Sequence, residues 1–596
     1  MRKPLLFSLL PILLGSALAA PASANDKKHT PPSPVSCAEL ATDPANGLAG
    51  NPDVKSASSK FIAPTFDVNG NPINAGFCQV DILFGTNPNQ NINIRVGLPL
   101  NSVDGGTGGV QGAWNGRTQG IGGGGCAGVA LTATNNPLSA QVNAGYVGSG
   151  TDAGHTGGDC EPGVNADGTY NLQFINDFIR NGIKEQVLFS KAVAARYYGM
   201  KPAYNYWNGC STGGRQGYLL AQELGRELDG ILANAPAIYW TRFQTAQMWG
   251  QIAMKDLTGG PIDANKTAQA TASAVAACDA ADGVVDGIID DPRTCKFSAT
   301  ANICGAPTAP ASNCLTPAEA QAVDLIWDGP RNADGNRIWF GLDRGTNIGT
   351  GFALNSAFPF PLGVTQFHWD EHDRTFDWHT VSMGGYSQVA QDGSRNIADV
   401  TDTFGNLDTF KRHGGKLLTF VGANDQLIYP RGVINYYRVM ADRYGRHHDA
   451  DFDGVQRFYR LFRAPGVGHC GGGSGPQPQN LFGALVDWVE NGNAPQTILA
   501  TSTAGTPPVT RSRPLCPYPQ TAIYNGSGST DDAANFHCGG NLERRRVVCA
   551  DVLVKYKHEV GGRLDPEGSG VDRDACFRHH DHDRDDGDHD GDDHGW

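Results

Sequence analysis

Residues 203–237 read AYNYWNGCSTGGRQGYLLAQELGRELDGILANAPA, and no other stretch restricts the fold as much. A short strand, Ala203 to Trp207, runs into the glycine-flanked turn GCSTGG at 209–214. A helix over 215–228 follows, then a second strand, GILANAPA, with a proline stop. A further helical pattern, EQVLFSKAVAARYYGM, precedes the first strand at 185–200. Helix, strand, turn, helix and strand in this order is the wiring of an α/β protein with a parallel sheet. The pattern resumes near the C-terminal third. KLLTFVGAND (416–425) is a buried strand ending in a polar loop, and IYPRGVINYYRVMADRYG is a helix with proline near its start. RFYRLFRAPGVGHC (457–470) is another strand and loop, and NLFGALVDWVENG (480–492) a helix closed by glycine.

Between the two halves the character changes. Residues 238–398 read as loop-rich and hold six of the ten tryptophans, Trp240, Trp249, Trp327, Trp339, Trp369 and Trp378. The simplest organisation is one α/β domain, 37–237 and 399–545, interrupted by an inserted lid at 238–398. The lid aromatics fit either a pocket for an aromatic group or the lid's own core. The N-terminus MRKPLLFSLLPILLGSALAAPASA has a basic start, an apolar run and an A-x-A site, the layout of a signal peptide over 1–24. That run is too short to span a membrane. Residues 25–36 read as a flexible leader and 546–596 as a C-terminal extension. Export agrees with fourteen cysteines, which pair in an oxidising compartment. A chain of nearly 600 residues buries a core unaided, so bridges staple loops. The net charge of −14 is half explained by the tail HHDHDRDDGDHDGDDHGW, with eight Asp and one Arg. It reads as a solvated acidic tail in preference to a loose metal site. No basic footprint for nucleic acid appears.

Gly209-Cys210-Ser211-Thr212-Gly213 matches G-x-S-x-G between a strand and a helix. Small residues let the chain turn sharply there, so that the serine stands above the sheet at a helix N-terminus. Partners follow in the order acid, then histidine, each in a loop after a strand: Asp425 and His469. The expected roles are Ser211 as nucleophile, His469 as general base and then acid, and Asp425 as the group that fixes the imidazole. Cys210 precedes the serine and Cys470 follows the histidine. A bridge between them would hold base and nucleophile together, since bridged Cα atoms lie within roughly 7 Å. It would contribute about 4–5 kcal/mol by loop closure. Left unbridged in a reducing compartment, Cys210 would itself be a candidate nucleophile.

This constellation resembles the tannase and feruloyl esterase family of α/β-hydrolases, which includes mono(hydroxyethyl) terephthalate hydrolase. The resemblance runs from about Cys37 to Cys538. It is carried by WNGR (114–117), GGGG (122–125), GCSTGGRQG (209–217), GANDQLIYP (422–430), GVGHCGGG (466–473) and LVDWVENGNAP (485–495). It implies an α/β-hydrolase fold with a large inserted lid domain, and the pairing of Cys210 with Cys470. It also implies an oxyanion hole built from the amides of Thr212 and of Gly124 or Gly125. A structural lid calcium is implied as well, held by the Asp279, Asp282 and Asp286 side chains and the Val284 and Ile288 carbonyls. A Cys278–Cys295 bridge would tie the ends of that loop. Cys126 departs from the family pattern, with Cys160 its candidate partner. Cys549 and Cys576 lie beyond the resemblance and are candidates for each other.

The expected activity is a secreted serine esterase acting on a small aromatic ester, feruloyl- or galloyl-type, with no nucleic-acid or membrane partner. A terephthalate half-ester is the alternative substrate, with Arg331, Arg337 and Arg344 as candidates for its carboxylate. The rival of another class is a non-catalytic secreted calcium-binding protein on a hydrolase scaffold.

Overall fold

A computed structural model describes residues 33–44, 48–66, 72–73, 76–127, 138–158, 160–349, 361–397, 406–445, 452–504, 509–543, 556–560 and 563–566. The expected signal peptide, most of the leader, the acidic tail, Cys549 and Cys576 lie outside them. The central sheet has nine strands: β1 (Val54–Ile62), β2 (Phe77–Phe84), β3 (Ile92–Pro99), β4 (Arg117–Ile121), β5 (Val147–Thr151), β6 (Tyr204–Cys210), β7 (Gly230–Asn234), β8 (Lys416–Gly422) and β9 (Tyr459–Ala464). Their spatial order is β1-β2-β3-β5-β4-β6-β7-β8-β9. From β1 to β5 the neighbours are antiparallel, and from β5 to β9 they are parallel.

The parallel half is where the sequence is most apolar. β8 and β9 are buried almost throughout, as strands covered on both faces must be. Helices α1 (Gly182–Tyr198) and α2 (Thr212–Glu223) follow the predicted pattern, with α2 starting three residues earlier than expected, directly after Ser211. Gly199 in the left-handed conformation ends α1, as a helix stop of that kind should.

β7 and β8 are sheet neighbours, yet about 180 residues separate them. This insert combines long loops with helices. Its helices are α3 (Trp240–Gln247), α4 (Trp249–Thr258), α5 (Ala264–Cys278), α6 (Pro317–Asp328), α7 (Pro361–Asp370) and α8 (Tyr386–Asn396). All six tryptophans of the insert are at most 9 % exposed, so most of each ring is packed within the protein. Trp240 packs edge-on against Phe178 of the main domain. Trp369 donates its indole N–H to the Cys160 carbonyl at 3.0 Å, and a Cβ on Gly163 would fall 2.1 Å from its ring.

After β8 come α9 (Pro430–Tyr444) and, beyond β9, α10 (Leu481–Asn491). Among the described residues no helix is long and apolar enough to cross a membrane. Two of the sequence motifs meet across the sheet's end. Arg117, at the start of β4, grips Glu490 of α10 with Nε at 2.6 Å and Nη2 at 2.5 Å, and the Tyr206 hydroxyl donates to the same carboxylate at 2.7 Å. Burial works against the Glu490 carboxylate, and the bonds from Arg117 and Tyr206 overcome it and hold its pKa below the usual value.

A depressed carboxyl pKa stabilises the fold above the unfolded value and is lost as pH falls through the folded one. Glu490→Gln should therefore lose about 1–3 kcal/mol in urea unfolding at pH 7. The deficit against wild type should shrink as pH falls below the ordinary glutamate range, where first the unfolded chain and then the folded one takes up the proton.

Candidate active site

β6 ends at Cys210, and α2 begins at Thr212, so the whole reversal falls on one residue. Ser211 has φ 63° and ψ −125°, a conformation that L-residues adopt only under constraint. Two small residues permit it: a Cβ on Gly209 would sit 2.4 Å from the Gly213 carbonyl. The turn is then held by its own backbone. The Ser211 amide donates to the Asn234 carbonyl (3.0 Å), and the Ser211 carbonyl accepts from Arg215 (3.1 Å) and Ala237 (3.0 Å). Its hydroxyl does not cap α2.

The loops after β8 and β9 are in backbone contact. Asn424 donates to the Val467 carbonyl at 2.9 Å, and a Cβ on Gly422 would lie 2.3 Å from that same oxygen. This brings Asp425, fully buried, to His469: Oδ2 is 2.8 Å from Nδ1. The other carboxylate oxygen accepts the amides of Leu427 (2.8 Å) and Ile428 (3.0 Å), so the carboxylate cannot rotate. The Gln426 side chain accepts the His469 amide at 3.3 Å. Cys470 is bonded to Cys210, with Cα atoms 6.0 Å apart. One bond, spanning 260 residues of sequence, thus ties the residue before Ser211 to the residue after His469. Cys210 carries no thiol and is not a nucleophile.

The amides of the glycine run divide by use. Gly122 donates to the Asn208 carbonyl and Gly123 to the Gln216 side chain, both at 3.0 Å. Among the described residues those of Gly124, Gly125 and Thr212 donate to no protein acceptor. The Gly124 carbonyl accepts from Ala127 at 2.8 Å, which turns the Gly125 amide the other way across the same peptide plane. The Thr212 hydroxyl bonds to the Gly125 carbonyl, joining the two segments that the sequence named for an oxyanion hole. Cys126 is paired with Cys160, so the bridge anchors the end of this loop.

The insert reaches the site as well. Gln247 of α3 donates to the Leu427 carbonyl at 2.9 Å, and the Tyr429 hydroxyl to the Ala246 carbonyl at 3.0 Å. Gln426 and Gln247 escaped the sequence reading, although Gln426 lies inside a quoted motif. Neither has a local pattern that announces a partner. The three arginines considered for a substrate carboxylate are engaged elsewhere. Arg331 and Arg337 hold Asp328, and Arg344 donates to the Phe297 carbonyl at 2.6 Å above the Trp327 ring.

The Cys278–Cys295 bridge is formed, closing the acidic loop. The Asp279 carboxylate accepts the amides of Asp286, Gly287 and Ile288 at 2.9–3.2 Å. Asp286 is turned to Arg513, 2.7 Å away. Burial, with Asp290, Asp286 and Asp279 nearby, pushes the Asp282 carboxyl up to about 6. Among the described residues no group of three or more His, Cys, Asp or Glu side chains is gathered as a metal site. Among the described residues the Val284 and Ile288 carbonyls accept no hydrogen bond.

With this geometry in hand, relatives decide the family. The model of "tannase and feruloyl esterase" matches residues 110–539. The chain belongs to that family. A probable feruloyl esterase of Arthroderma benhamiae is 32 % identical over 490 residues, 77 % of this chain and 85 % of that one. The mono(2-hydroxyethyl) terephthalate hydrolase of Piscinibacter sakaiensis is 28 % identical over 494 residues, covering 71 % and 79 %. The crystal structure of feruloyl esterase B from Aspergillus oryzae superposes with a TM-score of 0.69 at 23 % identity, covering 82 % and 97 %. The tannin acyl hydrolase of Aspergillus niger gives 0.70 at 22 %, covering 86 % and 97 %. The fold is therefore that of an α/β-hydrolase, and the protein is a carboxylic ester hydrolase of the tannase and feruloyl esterase type.

The Cys210–Cys470 bridge generates its own test. The double variant Cys210→Ala, Cys470→Ala should remain folded by circular dichroism. Its kcat for ester hydrolysis should drop by about 10–100-fold as the two loops lose their fixed spacing.

Proposed function

We propose that this is an exported serine esterase that cleaves esters of aromatic carboxylic acids, feruloyl- or galloyl-type, through an acyl-enzyme on Ser211. The observation that carries the reading is the 2.8 Å contact of His469 with buried Asp425, on a loop bonded through Cys470 to the residue beside Ser211. His469 removes the Ser211 proton as the oxygen attacks the ester carbonyl, while Asp425 holds the ring by Nδ1 and stabilises its charged form. The carbonyl oxygen becomes an anion facing the amides of Thr212, Gly124 and Gly125, with the N-terminal end of α2 adding its dipole. The tetrahedral adduct collapses, the C–O bond breaks, and His469 gives its proton to the leaving alcohol. Water, deprotonated by the same imidazole, then releases the acid and restores the serine.

The helical insert serves as the lid over this centre. Plant-type phenolic esters are favoured over a terephthalate half-ester because the arginines Arg331, Arg337 and Arg344 are already engaged within the insert. Export is supported by six disulfides among the described residues.

The loop 278–295 takes a structural calcium ion in this reading, through Asp279, Asp282, Asp286 and the carbonyls of Val284 and Ile288. What supports it is the pair of unpaired carbonyls beside three carboxylates, a hard-oxygen set of the kind calcium prefers. The ion would neutralise the loop and brace the insert. It takes no part in bond making.

Two experiments test the proposal. Ser211→Ala should lose labelling by a fluorophosphonate and reduce hydrolysis of methyl ferulate and methyl gallate by several orders of magnitude, roughly 10⁴-fold or more. Normal turnover by that variant would end the serine mechanism, and failure of wild type to label would favour the non-catalytic rival. For calcium, exchange into chelator should lower the Tm and added calcium should restore it. An unchanged Tm would count against the site.

A further inference from the structure

Arg215 lies four residues beyond Ser211, one turn into α2, and its amide closes that turn on the Ser211 carbonyl at 3.1 Å. It is 1 % exposed. Its guanidinium rests over two rings, Phe178 at 4.9 Å and Trp240 at 5.4 Å from Cζ. Among the described residues its side chain makes one hydrogen bond, from Nη1 to the Ile179 carbonyl at 3.5 Å, and Nε and Nη2 have no partner. Among the described residues no carboxylate pairs with it. Burial, with Arg180 nearby, pulls its pKa down to about 9, which leaves it charged at neutral pH.

A buried cation without a counterion is among the most destabilising groups a protein can contain, and an apolar residue of the same volume would fill the space better. Its position suggests what offsets that penalty. Cα–Cβ bonds in a helix tilt toward the N-terminus, so the Arg215 side chain leaves the helix on the side of the turn that carries Ser211 and ends over the Phe178 and Trp240 rings. A positive charge in a low-dielectric wall acts over several ångströms on charge that appears nearby. The negative charge that appears here is the carbonyl oxygen of the ester under attack. We propose that Arg215 is an electrostatic positioning residue, a fixed cation behind the nucleophile turn that lowers the barrier to acylation without touching substrate.

The inference rests on the reading of Ser211 as nucleophile, and the test separates the two. Full-length wild type, Arg215→Met, Arg215→Lys and Ser211→Ala are compared with methyl ferulate, and Tm is measured for each. Arg215→Met should keep or raise the Tm. Its kcat should fall about 10–100-fold with KM within about threefold, because ground-state binding is spared. Arg215→Lys, which keeps the charge, should recover most of the rate. If Arg215→Met retains kcat within twofold while Ser211→Ala is dead, the cation has no such role. If Met and Lys lose rate equally together with Tm, the residue is packing alone and the proposal is likewise overturned. Turnover by Ser211→Ala removes the underlying reading instead. Should Arg215→Met fail to fold, Arg215→Gln is judged by the same criteria.

Discussion

Three loops leave the same end of the parallel sheet, after β6, β8 and β9, and the proposed mechanism needs their tips to meet. Sheet geometry alone does not achieve that, because β6 and β9 are separated by β7 and β8. The Cys210–Cys470 bond supplies the missing constraint, joining the first loop to the third. The second is then fixed against the third by backbone contact, Asn424 to Val467, leaving Asp425 no position except beside the imidazole. Strain at Ser211 is tolerated because every backbone group of that residue is held.

The same logic extends outward. Sites built on rigid supports keep their geometry better than sites on free loops. Here the supports include part of the insert: α3 is tied to the acid loop through Gln247 and Tyr429, and Trp240 fits against Phe178. Trp369 anchors α7 to the main domain in the same way. The insert is thus attached to the main domain by buried indoles at both of these helices.

The α/β wiring and the candidate residues Ser211, Asp425 and His469 were legible because each depends on local pattern. Apolar strands stop at glycine-rich loops, and the order serine, acid, histidine follows chain order. The helices within the loop-rich insert were not read, although their signals are present: Thr316 and Glu319 form a capping box that the letters already display, and Asp263 caps α5. Other features had no local signature at all. Arg117 and Glu490 lie 373 positions apart, and only the folded sheet shows that they share a bond. Which glycine amides stay available next to Ser211 depends on partners such as Gln216 and Asn208, which spacing does not reveal. The acidic loop shows the reverse case, where the ligand types are easily read but Asp286 turns out to face Arg513.

The Cys126–Cys160 bridge has a consequence of its own. One of its ends closes the glycine loop that offers Gly124 and Gly125, and the carbonyl at its other end receives the Trp369 indole. A single covalent cross-link is thus a shared mooring for the glycine loop and for α7 of the insert. Reduction of that one disulfide would slacken both attachments together.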